Sequence, residues 1–161
     1  MNLYLVRHGK AKPEEEDEKR PLSDTGVADV KTVADYIRRY WNVSLSHIFH
    51  STKLRAKQTA EIIADMLKNE TIMEEVEALQ PLDDVRVWGD RIGTMDNDVM
   101  LVGHLPYMGK LASYLLVDDP NASTVVFQTA SVLHLKRSEE GGWSVIRMVD
   151  PLIARRGDTD G

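Results

Sequence analysis

The sequence predicts an α/β protein: a three-layer α/β/α sandwich around a mixed, mostly parallel sheet. Three observations lead there. Short apolar runs alternate with segments of helical period along most of the 161 residues, the pattern of helices packed on both faces of a sheet. Leu3–Val6 and Val99–Val102 are apolar without alternation, as strands buried on both faces are. The last two strand-like segments do alternate and are joined by Glu139-Glu140-Gly141-Gly142, which reads as an antiparallel hairpin.

Leu3 to Val6 is the first strand and ends abruptly at Arg7. Lys10 to Lys19, with the acidic run Glu14 to Glu18, has no apolar face and is expected to be a mobile loop. Thr25 to Tyr40 is helical: Val27, Val30, Val33, Ala34, Ile37 and Trp41 form one stripe, with Ser23 as N-cap. His47 to His50 is a short strand, and Leu54 to Lys68 a helix with Thr59, Ile62, Ile63, Met66 and Leu67 inward. Ile72 to Leu79 holds a further strand, and Asp83 to Ile92 is weakly helical. After Val99–Val102, Pro106 to Leu116 is a helix with Pro at its first position, where the missing N–H costs nothing. Ser131 to Leu135 and Trp143 to Met148 complete the sheet. One domain over residues 1–153 is expected, followed by a frayed tail over 154–161.

Composition narrows the function. The formal charge is −6 and the isoelectric point about 5.3. Nucleic acid is not an expected ligand, because neutralising many phosphates needs a basic surface. The apolar runs are too short to cross a bilayer, and the N-terminus lacks the basic and small-residue features of a signal peptide. With no cysteine, disulfides and thiolate metal sites are excluded, and a cytoplasmic location is expected.

The polar residues with chemical meaning gather at strand ends. The first strand ends at Arg7-His8-Gly9, the second at Ser51-Thr52 with Arg55 just beyond, and the central one at Gly103-His104. In an open α/β sheet, ligands sit in the crevice outside the carboxyl ends of the strands. Parallel neighbours would bring Arg7, His8, Arg55 and His104 together there. Two guanidinium forks match phosphate oxygens, helix N-termini after Ser51 and at Pro106 turn N–H groups the same way, and a neutral imidazole is a nucleophile toward phosphorus. Gly9 removes a side chain beside the reacting centre. A metal at His8 and His104 is disfavoured by the two arginines, so neither metal nor cofactor is expected. His47, His50 and His134 are expected to be structural, and the scattered methionines core filler.

These segments, with Arg20-Pro21-Leu22-Ser23-Asp24-Thr25-Gly26, Ser51-Thr52-Lys53-Leu54-Arg55-Ala56-Lys57-Gln58-Thr59 and Val102-Gly103-His104-Leu105-Pro106, resemble the histidine phosphatase superfamily, which includes cofactor-dependent phosphoglycerate mutases. Within it the likeness is greatest to SixA-type protein phosphohistidine phosphatases, and it runs from residue 1 to about residue 150. The resemblance implies a phosphoglycerate mutase-like fold, His8 as the phosphorylated nucleophile, Arg7, Arg55 and His104 holding the phosphoryl group, and Arg20 as a further contact. Gly9, Arg20 and Ser51 are thus expected at the substrate. Thr52 departs from the Pro that often follows the serine. The acid that protonates the leaving oxygen in many phosphomonoesterases and mutases of the superfamily is not matched either. Glu77, Asp83 and Asp84 stand in the comparable stretch, none assigned by pattern.

The expected reaction is therefore removal of a phosphoryl group from phosphohistidine on a partner protein, for instance a phosphotransfer domain, through phospho-His8. A P–N bond is labile and needs no positioned acid, whereas an ester does. A small-molecule phosphomonoesterase or mutase is the alternative, and a non-catalytic phospho-binding module the third. A monomer is expected. The acidic loop, if it flanks the pocket, would favour a substrate protein with basic surroundings.

Overall fold

The structure is a computed structural model, and it describes residues 1–159. Eleven elements follow in order: β1 (Asn2–Arg7), α1 (Asp24–Tyr40), β2 (His47–His50), α2 (Leu54–Leu67), β3 (Ile72–Glu75), α3 (Val85–Gly93), β4 (Val99–Gly103), α4 (Tyr107–Val117), β5 (Val132–Arg137), β6 (Trp143–Val149) and α5 (Pro151–Gly157). The strands form one sheet in the order β3-β2-β4-β1-β5-β6. β3, β2, β4 and β1 run parallel, while β5 and β6 are antiparallel. The sheet is mixed, as expected.

Strand alternation divides the core. Tyr4, Val6, Ile48, Met100, Val102 and Val132 face one layer, where they meet Val30, Val33 and Ile37 of α1, Ala60 and Ile63 of α2, and Ala154 of α5. Leu3, Leu5, Phe49, Leu101, Leu133 and Leu135 face the other, with Trp88 and Ile92 of α3 and Met108 and Leu111 of α4. Each central strand is thus apolar throughout because both of its faces are covered. Burying any one of these large side chains contributes about 1.5–3 kcal/mol.

Helix starts follow their sequence signals. Ser23 Oγ accepts from the Gly26 N–H at 3.0 Å and opens α1, and Asp84 caps α3 through the Arg86 N–H. α4 begins at Tyr107, so Pro106 precedes the helix and is not its first residue. At the hairpin, Gly141 takes φ +94°, a conformation that costs glycine nothing, and Ser138 N–H closes the turn on the Gly142 carbonyl at 2.8 Å.

The further strand expected within Ile72 to Leu79 is β3, at Ile72–Glu75. Two expectations are corrected. The acidic segment is held in place: Ala11 bridges Leu22, Lys12 N–H donates to the Pro21 carbonyl at 2.8 Å, and Leu22 N–H donates to Gln58 Oε1 at 2.7 Å. Backbone pairing supplies the order that its side chains cannot. The expected tail is helical to Gly157: Asp150 caps α5 through the Ile153 N–H, Ala154 is buried, and Arg155 pairs at 2.8 Å with Asp29, a buried carboxylate on α1. The last two residues of the predicted tail, 160 and 161, lie outside the described residues.

Candidate active site

β1 and β4 are neighbours in register, with Arg7 opposite Gly103, so the residues after them emerge side by side. The His8 N–H donates to the Gly103 carbonyl at 3.0 Å, and the Ala130 N–H donates to the His8 carbonyl at 3.1 Å. The His8 peptide is therefore held from both sides. Its Nδ1 lies 2.7 Å from the Gly9 carbonyl. A carbonyl only accepts, so Nδ1 carries the proton and Nε2 keeps its lone pair.

The His104 ring lies beside it, with centroids 5.1 Å apart. Its Nε2 is 2.7 Å from Ser51 Oγ, and that oxygen also accepts from the Lys53 N–H at 3.3 Å. Ser51 Oγ can give its one proton to His104 Nε2 or accept one from it, and in the first arrangement the His104 proton resides on Nδ1. Among the described residues, His104 Nδ1, Arg7 Nε and Arg55 Nε are buried without a partner, as is Tyr107 Oη. Buried donors are normally satisfied; three orphans among four expected site residues mark a place shaped for acceptor oxygens. Arg7 is further fixed by Nη1, which donates to the Phe127 carbonyl at 2.9 Å.

Charge completes the cluster. His8 is pushed down to about 4, first by burial and then by the cations Arg55, Arg7 and Arg20, against an opposing pull from the Gly9 carbonyl. His104 is pushed down to about 3 by burial, then by His8, Arg55 and Lys53. Both are neutral at pH 7. Burial lowers Arg7, and burial with Arg20 lowers Arg55. Arg20 reaches this group from a left-handed backbone, φ +48°. It is held there by its N–H on the Asp17 carbonyl at 2.9 Å and its Nε on the Lys12 carbonyl at 3.1 Å. A cleft of about 320 Å³ lined by Glu14, Glu18, Lys19, Arg20, Lys53, Leu54 and Arg55 opens alongside.

The structure thus brings together His8, Arg7, Arg55, His104 and Arg20. Gly9 and Ser51 are present but with other partners than a substrate. The Gly9 N–H donates to Thr59 Oγ1 at 3.1 Å, and a Cβ there would lie 2.8 Å from Val30 Cγ2 and 3.0 Å from the Gly26 carbonyl, so the close approach it permits is with α1. Ser51 is fully buried behind His104. Glu77, Asp83 and Asp84 are not among the charges acting on either histidine. Lys53, Thr59 and the Phe127 carbonyl were not singled out in the sequence. The first two lie inside the Ser51–Thr59 segment, whereas nothing local marks the carbonyl. His50 is buried with Nδ1 2.9 Å from the Ser51 carbonyl, and His134 stacks on Tyr4 between Asn2 and Arg147. Among the described residues, no three His, Asp or Glu side chains are grouped to hold a metal ion, and no helix is long and apolar enough to cross a membrane.

This geometry has relatives. Over 79 residues the chain is 34% identical to the probable phosphoglycerate mutase GpmB of Photorhabdus laumondii, a match covering 46% of this chain and 35% of the mutase. It therefore spans about a third of that relative's length. The solved structure of the protein histidine phosphatase SixA complexed with tungstate aligns with a TM-score of 0.83 at 24% identity, covering 94% of this chain and 98% of that one. SixA from Agrobacterium tumefaciens aligns at 0.75 and 24% identity, over 93% of this chain and 97% of that one. An alpha-ribazole-5'-P phosphatase from Escherichia coli aligns at 0.76 and 14%, over 95% and 98%. At these identities the structures speak for a shared fold. The model of the histidine phosphatase superfamily (branch 1) matches residues 3–87, more than half of the chain and the part that carries Arg7, His8, Arg20 and Arg55; to that superfamily this chain belongs.

Proposed function

We propose that the protein is a phosphohistidine phosphatase acting on a phosphorylated histidine of a partner protein. The observation that carries the reading is a neutral His8 with its proton on Nδ1, beside Arg55, Arg7 and Arg20, while Glu14 and Glu18 of the adjoining cleft are not among the described charges that shift it. His8 Nε2 attacks phosphorus as the P–N bond opposite it breaks. Arg7, Arg55, Arg20 and His104 Nδ1 donate to the equatorial oxygens, where charge gathers in the transition state. Water then attacks phospho-His8, and phosphate leaves. The arginines supply the positive charge that the reaction needs, so no metal is required in this scheme.

Leaving-group chemistry favours phosphohistidine over esters. Imidazole departs readily and takes its proton from water, while an alkoxide needs a positioned acid. The SixA likeness supports the same reading. A small-molecule mutase or phosphomonoesterase is favoured by the GpmB match, but it needs a donor carboxylate at the site. The partner is a protein because the cleft beside Arg20 and Arg55 can admit a side chain presented on a surface. The cysteine-free sequence of this chain suits the reducing cytoplasm.

The test is direct. A histidine peptide phosphorylated with phosphoramidate should be dephosphorylated by the wild type and not by His8→Ala. Acid-quenched wild type should carry acid-labile phosphate on His8. Wild-type turnover by His8→Ala would remove the nucleophile from this scheme.

A further inference from the structure

Two clefts border the site, on opposite faces of the sheet. The charged one is walled by the start of α2, which packs in the α1 layer. The other, of about 390 Å³, is walled by the start of α4 in the opposite layer. One side of this second groove is Leu105, Pro106 and Lys110, and Leu105 directly follows His104. The other side is Val125, Val126 and Phe127, and it is the Phe127 carbonyl that accepts from Arg7 Nη1 at 2.9 Å. The groove therefore starts at the site: one peptide unit joins its first side to His104, and one hydrogen bond joins its second to Arg7.

The second side is held at both ends. Arg7 grips Phe127, and at the other end Ser113, buried in α4, accepts at Oγ from the Thr124 N–H at 3.1 Å and lies 2.9 Å from Thr124 Oγ1. On this fixed wall Val126 stands 77% exposed and belongs to neither core layer. Among the described residues no carboxylate lines the groove and Lys110 is its one charge, in a chain whose net charge is −6. An exposed aliphatic wall that is rigid and free of acids, beside a polar site, has the character of a contact surface.

We propose that this groove seats an aliphatic side chain of the phosphohistidine-bearing protein, one that neighbours the phosphohistidine on that protein's surface. This rests on the phosphohistidine reading and adds what marks the substrate: charge enters on the α2 side, and an apolar neighbour on the α4 side. The occupant is the donor protein because the groove is continuous with the place that protein must reach. A donor that brings its imidazole to His8 lays the adjoining surface over Leu105 and Val126. Burying one such side chain there should raise kcat/KM by about tenfold.

The experiment uses peptides with a phosphoramidate-phosphorylated histidine at the centre, serine elsewhere, and a single leucine moved through the positions on either side. At one position or more, leucine should raise wild-type kcat/KM by about tenfold over the all-serine peptide. Val126→Asp should abolish that ratio. All the peptides carry the same charge, so the ratio cancels the pull of the new carboxylate on the phosphoryl group. Indifference of the wild type to leucine at every position overturns the proposal, and so does a preference that survives in a Val126→Asp protein melting like the wild type. Should that variant melt early, Val126→Ser carries the same test. A wild-type dimer in sedimentation velocity that Val126→Asp dissolves would assign the groove to a second copy and overturn it too. Hydrolysis of p-nitrophenyl phosphate but of none of the phosphopeptides would instead sink the phosphohistidine reading. The groove is then judged by whether leucine peptides inhibit that hydrolysis about tenfold better than the all-serine one; equal inhibition overturns it.

Discussion

A nucleophilic histidine is useful only while neutral, and His8 should remain so far into acid. Burial is the largest cause and Arg55 the largest of the neighbouring cations, and together with Arg7 and Arg20 they bring the ring to about 4. At pH 5 such a ring is about 90% neutral, against about 3% for an ordinary histidine near 6.5, an advantage of about thirtyfold in competent enzyme. The measurement is a proton NMR titration of the ring Cε1–H resonances, with the His8 signal assigned by its loss in His8→Ala. The midpoint should lie near 4. In Arg55→Ala it should move upward, because removing a cation favours the protonated ring, yet stop short of 6.5 because burial remains. A wild-type midpoint at 6.5 would refute the electrostatic account of the site, and a midpoint unmoved by Arg55→Ala would remove Arg55 from it.

Arg55→Ala should also lower kcat/KM on a phosphohistidine peptide by about a hundredfold, or about 3 kcal/mol of transition-state stabilisation; steady-state rates within threefold of wild type would contradict its placement. Gly9→Ala drives a Cβ against Val30 and the Gly26 carbonyl and should cost about 1–3 kcal/mol in urea denaturation, an unchanged midpoint being the contrary result. His134 is held down at about 4, first by burial and next by Arg147. Unfolding raises its affinity for protons, so its contribution is full above pH 6.5 and lost as pH falls toward 4. Stability should therefore drop between pH 7 and pH 5 by about 2 kcal/mol on its account. His134→Phe should remove about 2 kcal/mol of the drop and leave the share that His8 and His104 contribute by the same linkage, and an identical slope would exclude His134 as a source.

Much of this was legible because the central strands write their burial into the sequence. Leu3–Val6 and Val99–Val102 are apolar on both faces, and the polar residues that follow them can only be at the sheet's carboxyl edge. Arg7, His8 and His104 are found from those positions, and Arg55 from the start of the helix that follows His47–His50. What escaped depends on contacts distant in the chain. α5 is short and polar, and it is helical because Ala154 packs into the core and Arg155 meets Asp29. The acidic loop looks unstructured in composition, yet Ala11 and Leu22 bridge across it. Gly9, read as room beside the reacting centre, also makes room for Val30 and the Gly26 carbonyl of α1.

The two backbone bonds at residue 8 have a consequence for how the enzyme cycles. With its peptide pinned to Gly103 on one side and Ala130 on the other, and its Nδ1 on the Gly9 carbonyl, the nucleophile of the proposed reaction is fixed to the central strands. In that scheme the phosphoryl group travels to a stationary acceptor, the rate depends on how a donor protein presents its histidine, and phosphorylated and free forms of the protein should share one backbone at this strand end.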